Sequence, residues 1–304
     1  MQDQLNHLIA HAGRVVLGKE SQIRLALCCI LAKGHLLIED IPGVGKTTLA
    51  HTLARLFGLH FQRIQFTSDL LPADILGANV FDARNHTFHF HPGPIFNEMI
   101  LADEINRSPP KAQSALLEAM EERQVTVDGE THALPQSFFV IATQNPNEQI
   151  GTFPLPESQL DRFLMKIALG YPDRHAERSL LQGTDRRLLI ESLPVCLPAE
   201  HLHKAQSMVS EVHCSEPLLD YLQSILDFSR GFSEYQLGLS PRAGLALLNA
   251  SKALAFLEGR DSVLPEDIQS VLAPVAGHRL RISESGSSHS AAVVAPILEG
   301  VAIP

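Results

Sequence analysis

Residues 35–49 combine an apolar run with glycines, a lysine and threonines in a spacing that suits phosphate binding. Residues 36–38 are a short apolar run typical of a buried strand, and a helix is predicted to begin near Lys46. Gly43 and Gly45 permit backbone angles closed to other residues, so consecutive N–H groups can surround a phosphate at the positive end of that helix. The segment is therefore predicted to be a strand, a phosphate-binding loop and a helix. An ordinary strand–turn–helix connection is the alternative.

Two side chains supply the expected chemistry of this loop. Lys46 can reach the β- and γ-phosphates of a nucleotide, and the Thr47 hydroxyl can ligate Mg²⁺. The strict motif has a glycine five positions before Gly45, whereas this chain has Asp40. The departure leaves the geometry at the start of the loop open.

Two adjacent carboxylates, Asp103 and Glu104, follow a second apolar run at residues 99–102. Asp103 at the strand end could hold Mg²⁺ through its water shell, because Mg²⁺ prefers hard oxygen ligands. Glu104 could polarise a water molecule for attack on the γ-phosphate. An acidic pair favoured by a helix dipole is the alternative. The position after a phosphate loop favours the catalytic interpretation.

Two further polar residues stand at the ends of predicted elements. Asn145 follows the apolar run 138–143, at the strand end where α/β sheets bind ligands. Arg242 lies in the first turn of a helix that Ser240 is expected to cap. A cation there opposes the helix dipole, and an anionic ligand would explain it. A solvated arginine is the alternative.

The elements around these residues indicate an α/β domain followed by a helical one. Strands are predicted at 36–38, 61–66, 99–102, 138–143 and 165–169, with β-hairpins at 79–92 and 124–134. Ser21 is expected to cap the second of two N-terminal helices. His86, His89 and His91 lie in the first hairpin without a carboxylate or cysteine partner, which favours an exposed hairpin over a metal site.

The predicted secondary structure changes after residue 172, from alternating strands and helices to a polar segment followed by helices. Residues 173–187 are charged and polar, 192–198 are loop-like, and helical patterns cover 199–212, 216–230, 241–257 and 265–276. A Ser/Gly-rich linker is expected at 283–288. We therefore predict a core at residues 1–188, which contains both hairpins, and an all-helical domain at 189–304.

Composition narrows the class of protein. The 304 residues are 45% hydrophobic, enough for a sizeable core. The net charge of −10 argues against a broad nucleic-acid-binding surface, although not against a local basic pore. The cysteines form no CxxC pair, which favours a reduced, cytoplasmic setting without a zinc or disulfide framework. Neither a signal peptide nor an integral membrane segment is expected.

Four blocks of sequence together resemble the MoxR family of AAA+ ATPases over nearly the whole chain. They are IEDIPGVGKTTLA, PGPIFNEMILADEINRSPPKAQSALLEAMEERQVTVDG, IATQNPNEQIGTFPLPESQLDRF and LGLSPRA. The resemblance implies an AAA+ αβα nucleotide-binding core with a central parallel sheet, followed by a small helical lid. The two hairpins are similar to the helix-2 and pre-sensor-1 insertions of this clade.

The resemblance also implies roles for particular residues. Lys46 belongs to the Walker A loop, and Asp103 and Glu104 to Walker B, with Thr47 and Asp103 at the Mg²⁺. Asn145 matches sensor 1 and Arg162 the arginine finger that reaches the neighbouring subunit. Arg242 matches sensor 2, on its own nucleotide or on a neighbour's. Arg107 is similar to an inter-subunit residue. The implied ATP contacts are Val16, Leu17, Gly18, Pro42, Gly43, Val44, Gly45, Lys46, Thr47 and Thr48.

The expected function follows from both lines of reasoning. The residues favour Mg²⁺-dependent ATP hydrolysis. The family implies a homo-oligomeric ring, expected to be a hexamer, that acts as a chaperone-like remodeller or maturation factor for a client protein. The family also implies a partner with a von Willebrand factor type A domain. A DNA-remodelling motor and an ATP-switched scaffold with slow turnover are the alternatives, and the acidic charge opposes the motor.

Overall fold

The computed structural model describes residues 1–146, 151–183, 185–282 and 290–303. The N-terminal elements in chain order are α1 (Gln2–Val15), α2 (Glu20–Leu31), β1 (Leu36–Glu39), α3 (Lys46–Phe57), β2 (Phe61–Gln65), α4 (Pro72–Leu76), β3 (Gly77–Asp82), β4 (Thr87–Pro92), β5 (Met99–Asp103), α5 (Pro110–Glu122), β6 (Gln124–Val127), β7 (Glu130–Ala133), β8 (Phe139–Gln144), α6 (Glu157–Leu160) and β9 (Met165–Ile167). The remaining elements are α7 (Arg174–Gln182), α8 (Arg186–Glu191), α9 (Ala199–Glu211), α10 (Glu216–Gly231), β10 (Tyr235–Leu237), α11 (Pro241–Leu257), α12 (Pro265–Ala276), β11 (Arg281–Ile282) and α13 (Ser290–Gly300).

The centre of the molecule is a parallel sheet with the strand order β2-β5-β8-β1-β9. Its inner strands are apolar on both faces, as parallel sheets covered by helices require. Along β1, Leu36 and Ile38 face one hydrophobic cluster and Leu37 faces the other. All five strands were predicted, β2 from its alternation of apolar and polar residues and the others from apolar runs. The carboxyl ends of β5, β8 and β1 are neighbours, which brings the residues after these strands to one edge.

The helix after the phosphate loop follows its sequence signals. Its N-cap is Gly45, and Gly58 ends it in the left-handed conformation at φ +65°. One N-terminal signal was misjudged. Lys19 occupies the N-cap of α2, so Ser21 lies inside that helix and does not cap it. The lysine side chain instead donates to the carbonyl oxygen of Tyr171 at 2.7 Å.

Two antiparallel hairpins stand outside the main sheet, where the sequence predicted them. One is formed by β3 and β4, and the other by β6 and β7. The Asn79 amide donates to the Asp128 carboxylate at 2.8 Å, which ties the first hairpin to the turn of the second. At the tip of the first hairpin the rings of Phe81 and Phe88 lie 5.2 Å apart and are largely exposed.

The C-terminal region is a helical lid built mainly from α9 to α13. The helices α9 to α12 lie at the predicted positions, whereas α13 and the short antiparallel pair β10–β11 were not predicted, so the domain is not all-helical. Two short helices, α7 and α8, were not predicted, because residues 173–187 offer little apolar periodicity. Asp173 and Asp185 cap them by accepting from the N–H groups of Ala176 and Arg187 at 2.8 and 2.9 Å. The expected 283–288 linker lies outside the described residues.

The lid packs directly onto one face of the core. Its buried side chains form a single hydrophobic cluster with α1, α2, α3 and one face of the sheet. Gln206 of α9 also donates to the carbonyl oxygen of Ile30 at 2.8 Å. The boundary between residues 188 and 189 stays a prediction. Within the part of the chain that the structure describes, no helix has the length and apolar character needed to cross a membrane.

Candidate functional site

A cavity of about 300 Å³ opens at the carboxyl edge of the sheet, next to the predicted phosphate loop. Its described lining consists of Pro42, Gly43, Gly45, Lys46, Thr47, Thr48, Asp103, Glu104 and Asn145. Three neighbouring strands supply these residues, since the loop follows β1, the carboxylates end β5 and Asn145 follows β8. Residues separated by about a hundred positions in sequence therefore meet around one space.

The loop backbone has the conformation that its glycines predicted. Gly43 and Gly45 adopt φ values of +86° and +99°, in the region where other residues are strained. Gly45 leads directly into α3, whose first N–H groups have no partner within the helix. Free backbone donors and the helix dipole at this point suit a phosphate group.

Lys46 lines the cavity and is held by hydrogen bonds to residues of two strand ends. Its ammonium donates to the carbonyl oxygen of Asp40 at 2.5 Å and to Oδ1 of Asn145 at 3.1 Å. Burial lowers the pKa of Lys46, while the charges of Asp40, Asp103 and Glu104 act in the opposite direction. The side chain is therefore a desolvated cation that faces a carboxylate-lined space.

Asp40, the departure from the strict motif, links the loop to the edge of the sheet. Its Oδ1 accepts from the N–H of Ile41 at 2.8 Å, and its Oδ2 accepts from the N–H of Gly170 at 2.5 Å. The backbone N–H of Asp40 continues the sheet by donating to the Gln144 carbonyl oxygen. A glycine would offer none of the side-chain contacts, so the aspartate fixes the start of the loop against the segment after β9.

Asp103 is positioned from both sides. The Thr143 hydroxyl donates to its Oδ1 at 2.6 Å, and Arg63 donates to its Oδ2 through Nε at 3.0 Å and Nη2 at 2.5 Å. Each carboxylate oxygen has two lone pairs, so these bonds leave acceptor capacity for a further ligand. The sequence pattern indicated the aspartate but neither of the residues that orient it.

Glu104 adopts a left-handed backbone conformation at φ +58°, which is unusual for a residue with a side chain. Its N–H donates to the Thr143 hydroxyl at 2.9 Å. Its carboxylate accepts from the Gln65 amide at 3.2 Å and lies 3.4 Å from the Asn145 amide. Arg107 forms an ion pair with it at 3.2 Å. These contacts hold the carboxylate at the cavity between β2 and β8.

The donor set fits a magnesium ion. The Thr47 hydroxyl and the Asp103 carboxylate line the same cavity, and both are hard oxygen ligands of the kind that Mg²⁺ prefers. The cavity also keeps room for water molecules, which Mg²⁺ usually retains.

The two other predicted arginines lie at a different place. A second cavity of about 310 Å³ is lined by Arg162, Arg242 and Arg279, together with Glu121 and Asp161. We call these five residues the arginine cluster. Neither Arg162 nor Arg242 is among the described residues that line the phosphate-loop cavity. The structure of one chain thus brings Lys46, Asp103, Glu104 and Asn145 together but not the arginines.

The ion pairs of the arginine cluster join the core to the lid. Arg162 pairs with Oε2 of Glu121 at 3.0 Å, and Arg242 donates to Oε1 of the same carboxylate. Arg279 donates to Asp161 at 2.6 Å. Arg242 is about half exposed and Glu121 about a third exposed, so the pair between them is worth only about 0–1 kcal/mol. Such a bond orients the guanidinium groups without locking them.

The predicted adenine-side residues lie between α1 and α2. Val16 is buried and Gly18 adopts φ +67°. A Cβ at Gly18 would lie 3.1 Å from the Cβ of Ala176 and 3.2 Å from Oδ2 of Asp173, so the glycine permits a close approach of α7. Neither these residues nor Leu17 line the phosphate-loop cavity, and their contact with adenine stays a prediction.

Some residues at the site were missed, and part of the signal was present. Arg63 and Gln65 alternate along β2 and end at the ligand edge, so the strand pattern could have indicated them. Thr143 is a fully buried polar residue at the end of an apolar strand, which is a second available signal. Glu121 gave none, because an acidic residue on a helix is normally solvated.

Comparisons with known proteins agree with this arrangement. Residues 35–165 match the model of the ATPase family associated with various cellular activities (AAA), and residues 233–297 match the AAA lid domain. The class is therefore an AAA+ ATPase core with its lid. The crystal structure of a protein from Cytophaga hutchinsonii is 36% identical, has a TM-score of 0.89, and is matched over 100% of this chain and 96% of that one.

Similarity to curated proteins extends over nearly the full length. The chain is 44% identical to the YeaC protein of Bacillus subtilis, over 99% of this chain and 95% of that protein. It is 37% identical to Chaperone MoxR1 of Mycobacterium tuberculosis, over 99% and 82%, and 33% identical to Protein MoxR of Paracoccus denitrificans, over 94% and 91%. The chain belongs to the MoxR family of AAA+ ATPases. Both the family resemblance and the α/β core with a helical lid, as predicted from the sequence, are confirmed.

Proposed function

We propose that this chain hydrolyses ATP with Mg²⁺ in a homo-oligomeric ring and uses the energy to remodel or mature a partner protein. The observation that carries the proposal is the meeting of Lys46, Asp103, Glu104 and Asn145 at one cavity beside the Gly43–Gly45 loop. A lysine, two carboxylates and an amide in this arrangement suit phosphoryl transfer to water.

In the proposed reaction the loop N–H groups and Lys46 bind the β- and γ-phosphates. Thr47 and Asp103 would hold Mg²⁺, which neutralises phosphate charge when bound. Asn145 orients the attacking water, and Glu104 accepts its proton. The contacts already made by Lys46 and Glu104 with Asn145 support this division of roles, since they place the amide between the phosphate-binding cation and the general base.

The positions of Arg162 and Arg242 support the assembly of several subunits into a ring. Arg162 and Arg242 lie at the arginine cluster rather than at the phosphate-loop cavity of their own chain. We therefore propose that both act on the nucleotide of a neighbouring subunit. An arginine supplied in this way is typically worth about 10³–10⁵ in rate. A head-to-tail interface that closes forms a ring, and we propose a hexamer.

The proposed partner is a protein with a von Willebrand factor type A domain, and the client is a protein that the pair matures. The naming of one relative as a chaperone supports this class of function. The proposed site of action is the cytoplasm. The net charge of −10 disfavours nucleic acid as the substrate.

Steady-state phosphate release and nucleotide binding test the proposal. We expect wild-type hydrolysis to require Mg²⁺ and to rise more than linearly with protein concentration. Glu104→Gln should bind ATP with near wild-type affinity but lose at least about 100-fold in turnover, because the general base is absent. Glu118→Gln, an exposed carboxylate on α5, is the matched control.

Several results would count against the proposal. Normal hydrolysis by Glu104→Gln would refute the mechanism. Full activity of dilute monomers would refute the need for a ring. Stimulation by DNA with a steep salt dependence would replace the remodeller with a motor.

A further inference from the structure

One carboxylate, that of Glu121, connects the arginine of the core to the arginine of the lid. Arg162 bonds to Oε2 at 3.0 Å, and Arg242 donates to Oε1. Because both oxygens belong to one small planar group, the two guanidinium groups must lie side by side. Arg162 follows α6 in the core, whereas Arg242 begins α11 in the lid. Without a shared acceptor, two cations this close would repel each other.

The backbone that carries Glu121 is fixed on both sides. The preceding carbonyl, that of Met120, contacts Nε2 of the buried His35 at 3.3 Å, and the other ring nitrogen accepts from the Val140 N–H at 3.0 Å. On the following side, Arg123 ends α5 in the left-handed conformation and donates to the Lys33 carbonyl oxygen at 3.1 Å. The end of α5 is thus fastened to the sheet and to the turn before β1, so Glu121 projects from a rigid base.

The segment that carries Arg162 is fixed from the lid side. Arg279, almost fully buried, donates to the carboxylate of Asp161 at 2.6 Å and to the carbonyl oxygens of Phe163 and Leu164 at 2.7 and 3.2 Å. Asp161 also lies 3.8 Å from Arg242. Both arginines therefore extend from backbone that is held in place, and Glu121 sets the direction of their ends.

The cavity at the arginine cluster has the charge that an anion requires. Its described lining carries five cations, Lys33, Arg123, Arg162, Arg242 and Arg279, against two carboxylates, Glu121 and Asp161. A surplus of three positive charges is unusual on a chain with a net charge of −10. The guanidinium groups of Arg162 and Arg242 each have five donors and use few of them on Glu121, so donors remain on these two for a second anion. Arg279 uses its donors on Asp161 and on backbone carbonyl oxygens, so it contributes charge to the cavity.

We propose that Glu121 is a positioning residue that holds Arg162 and Arg242 side by side, so that both can donate to one phosphate group presented by a neighbouring subunit. The inference rests on the proposed function, in which both arginines act between subunits. It adds the residue that couples the two arginines. Through that residue, the orientation of the lid affects the positions of both Arg162 and Arg242. The two ion pairs to Glu121 are partly exposed, so a phosphate can compete for the arginines while the carboxylate limits the directions that they take.

The test compares the steady-state kinetics of Glu121→Gln with those of Glu122→Gln over a range of ATP concentrations, at a protein concentration at which rings form. The two changes remove the same charge from adjacent positions of α5, and both residues are exposed. Glu121 forms two ion pairs, whereas Glu122 forms none among the described residues. Glutamine offers one acceptor oxygen and turns an NH₂ group toward the second arginine. We expect kcat to fall about 10-fold for Glu121→Gln with KM within about 2-fold, and the control to match wild type. Equal melting temperatures and equal sedimentation of the assembled protein would exclude a folding or assembly defect.

A double-mutant cycle tests whether Glu121 acts through the arginines. In the Arg242→Ala background, Glu121→Gln should cost less than about 3-fold in kcat, because half of the arrangement is already gone. An equal loss in both backgrounds would overturn the inference, as would an unchanged kcat. A raised kcat would show that Glu121 restrains the arginines instead. If Arg162→Ala is fully active, the trans role in the proposed function is wrong. If Arg162→Ala is inactive and Glu121→Gln is normal, only the positioning role is wrong.

Discussion

Thr143 donates a hydrogen bond of 2.6 Å from its hydroxyl to Oδ1 of Asp103, and the same hydroxyl accepts from the N–H of Glu104 at 2.9 Å. One buried side chain on β8 therefore orients both carboxylates that end β5. The bond to the Glu104 N–H also supports its left-handed backbone conformation, which directs the carboxylate toward Asn145.

Replacing Thr143 with valine keeps the shape of the side chain and removes both hydrogen bonds. The Glu104 N–H loses its acceptor and Asp103 loses a donor, at a cost of about 1–3 kcal/mol for an unsatisfied buried group. We expect hydrolysis to fall by about 10- to 100-fold while nucleotide affinity changes less than about 3-fold. Thr143→Ser keeps the hydroxyl and should retain most of the rate, measured by phosphate release. Equal rates for the valine and serine variants would contradict the role of the hydroxyl.

Changing Asp40 to glycine would restore the strict motif but should destabilise the protein. The change removes the acceptors of the Ile41 and Gly170 N–H groups and adds backbone freedom in the unfolded chain. We expect the free energy of unfolding in urea to fall by about 2 kcal/mol. Asp40→Asn, which keeps one carbonyl acceptor, should lose less. A glycine variant as stable as wild type would show that the link to Gly170 contributes nothing.

Mixing two inactive variants separates a cis from a trans role for Arg162. Lys46→Ala should lose nucleotide binding, whereas Arg162→Ala should bind nucleotide and fail to hydrolyse it. In mixed rings, an intact loop on one subunit can meet an intact arginine on the next. We expect an equimolar mixture to recover roughly a quarter of wild-type phosphate release, the statistical share of correctly ordered neighbours around a ring. A mixture no more active than the sum of its components would place Arg162 in cis.

His35 should make stability depend on pH. Burial and the charge of Arg123 lower its pKa to about 3, from 6.5 in the unfolded chain. Between these values the unfolded state binds a proton that the folded state does not, so the free energy of unfolding falls as the pH drops below about 6.5, by about 1.4 kcal/mol per pH unit. The pKa of His278, also buried, is lowered, and this histidine adds to the same effect.

The His35→Gln variant isolates this contribution. Its free energy of unfolding in urea should decline less steeply than that of wild type between pH 6.5 and 4.5, a window within the interval between the two pKa values of His35. His7→Gln, a change at an exposed histidine, is the control and should follow wild type. Parallel curves for wild type and His35→Gln would refute the assignment of the slope to His35.

The sequence was sufficient for the features that depend on neighbouring residues. The glycine spacing around Lys46 predicted the loop, because positive φ angles are a local demand. Apolar runs predicted four of the five strands, and alternation of apolar and polar residues predicted β2. The carboxylates and the amide after β5 and β8 predicted which edge would hold the site. The short helices α7 and α8 were not predicted, because their charged sequence has weak apolar periodicity and their caps at Asp173 and Asp185 were not recognised.

Tertiary structure alone decided which residues that are distant in sequence bond to one another. Asp40 departs from the motif in sequence, yet in the fold it bonds the N–H of Gly170 across the sheet edge. Arg63 and Thr143 meet Asp103 because β2, β5 and β8 are neighbours, an order that the chain does not display. Glu121 joins Arg162 and Arg242 because the start of α11 in the lid lies at the same cavity as the end of α5. Local conformation follows from residue types, whereas hydrogen bonds between separate elements depend on how those elements pack.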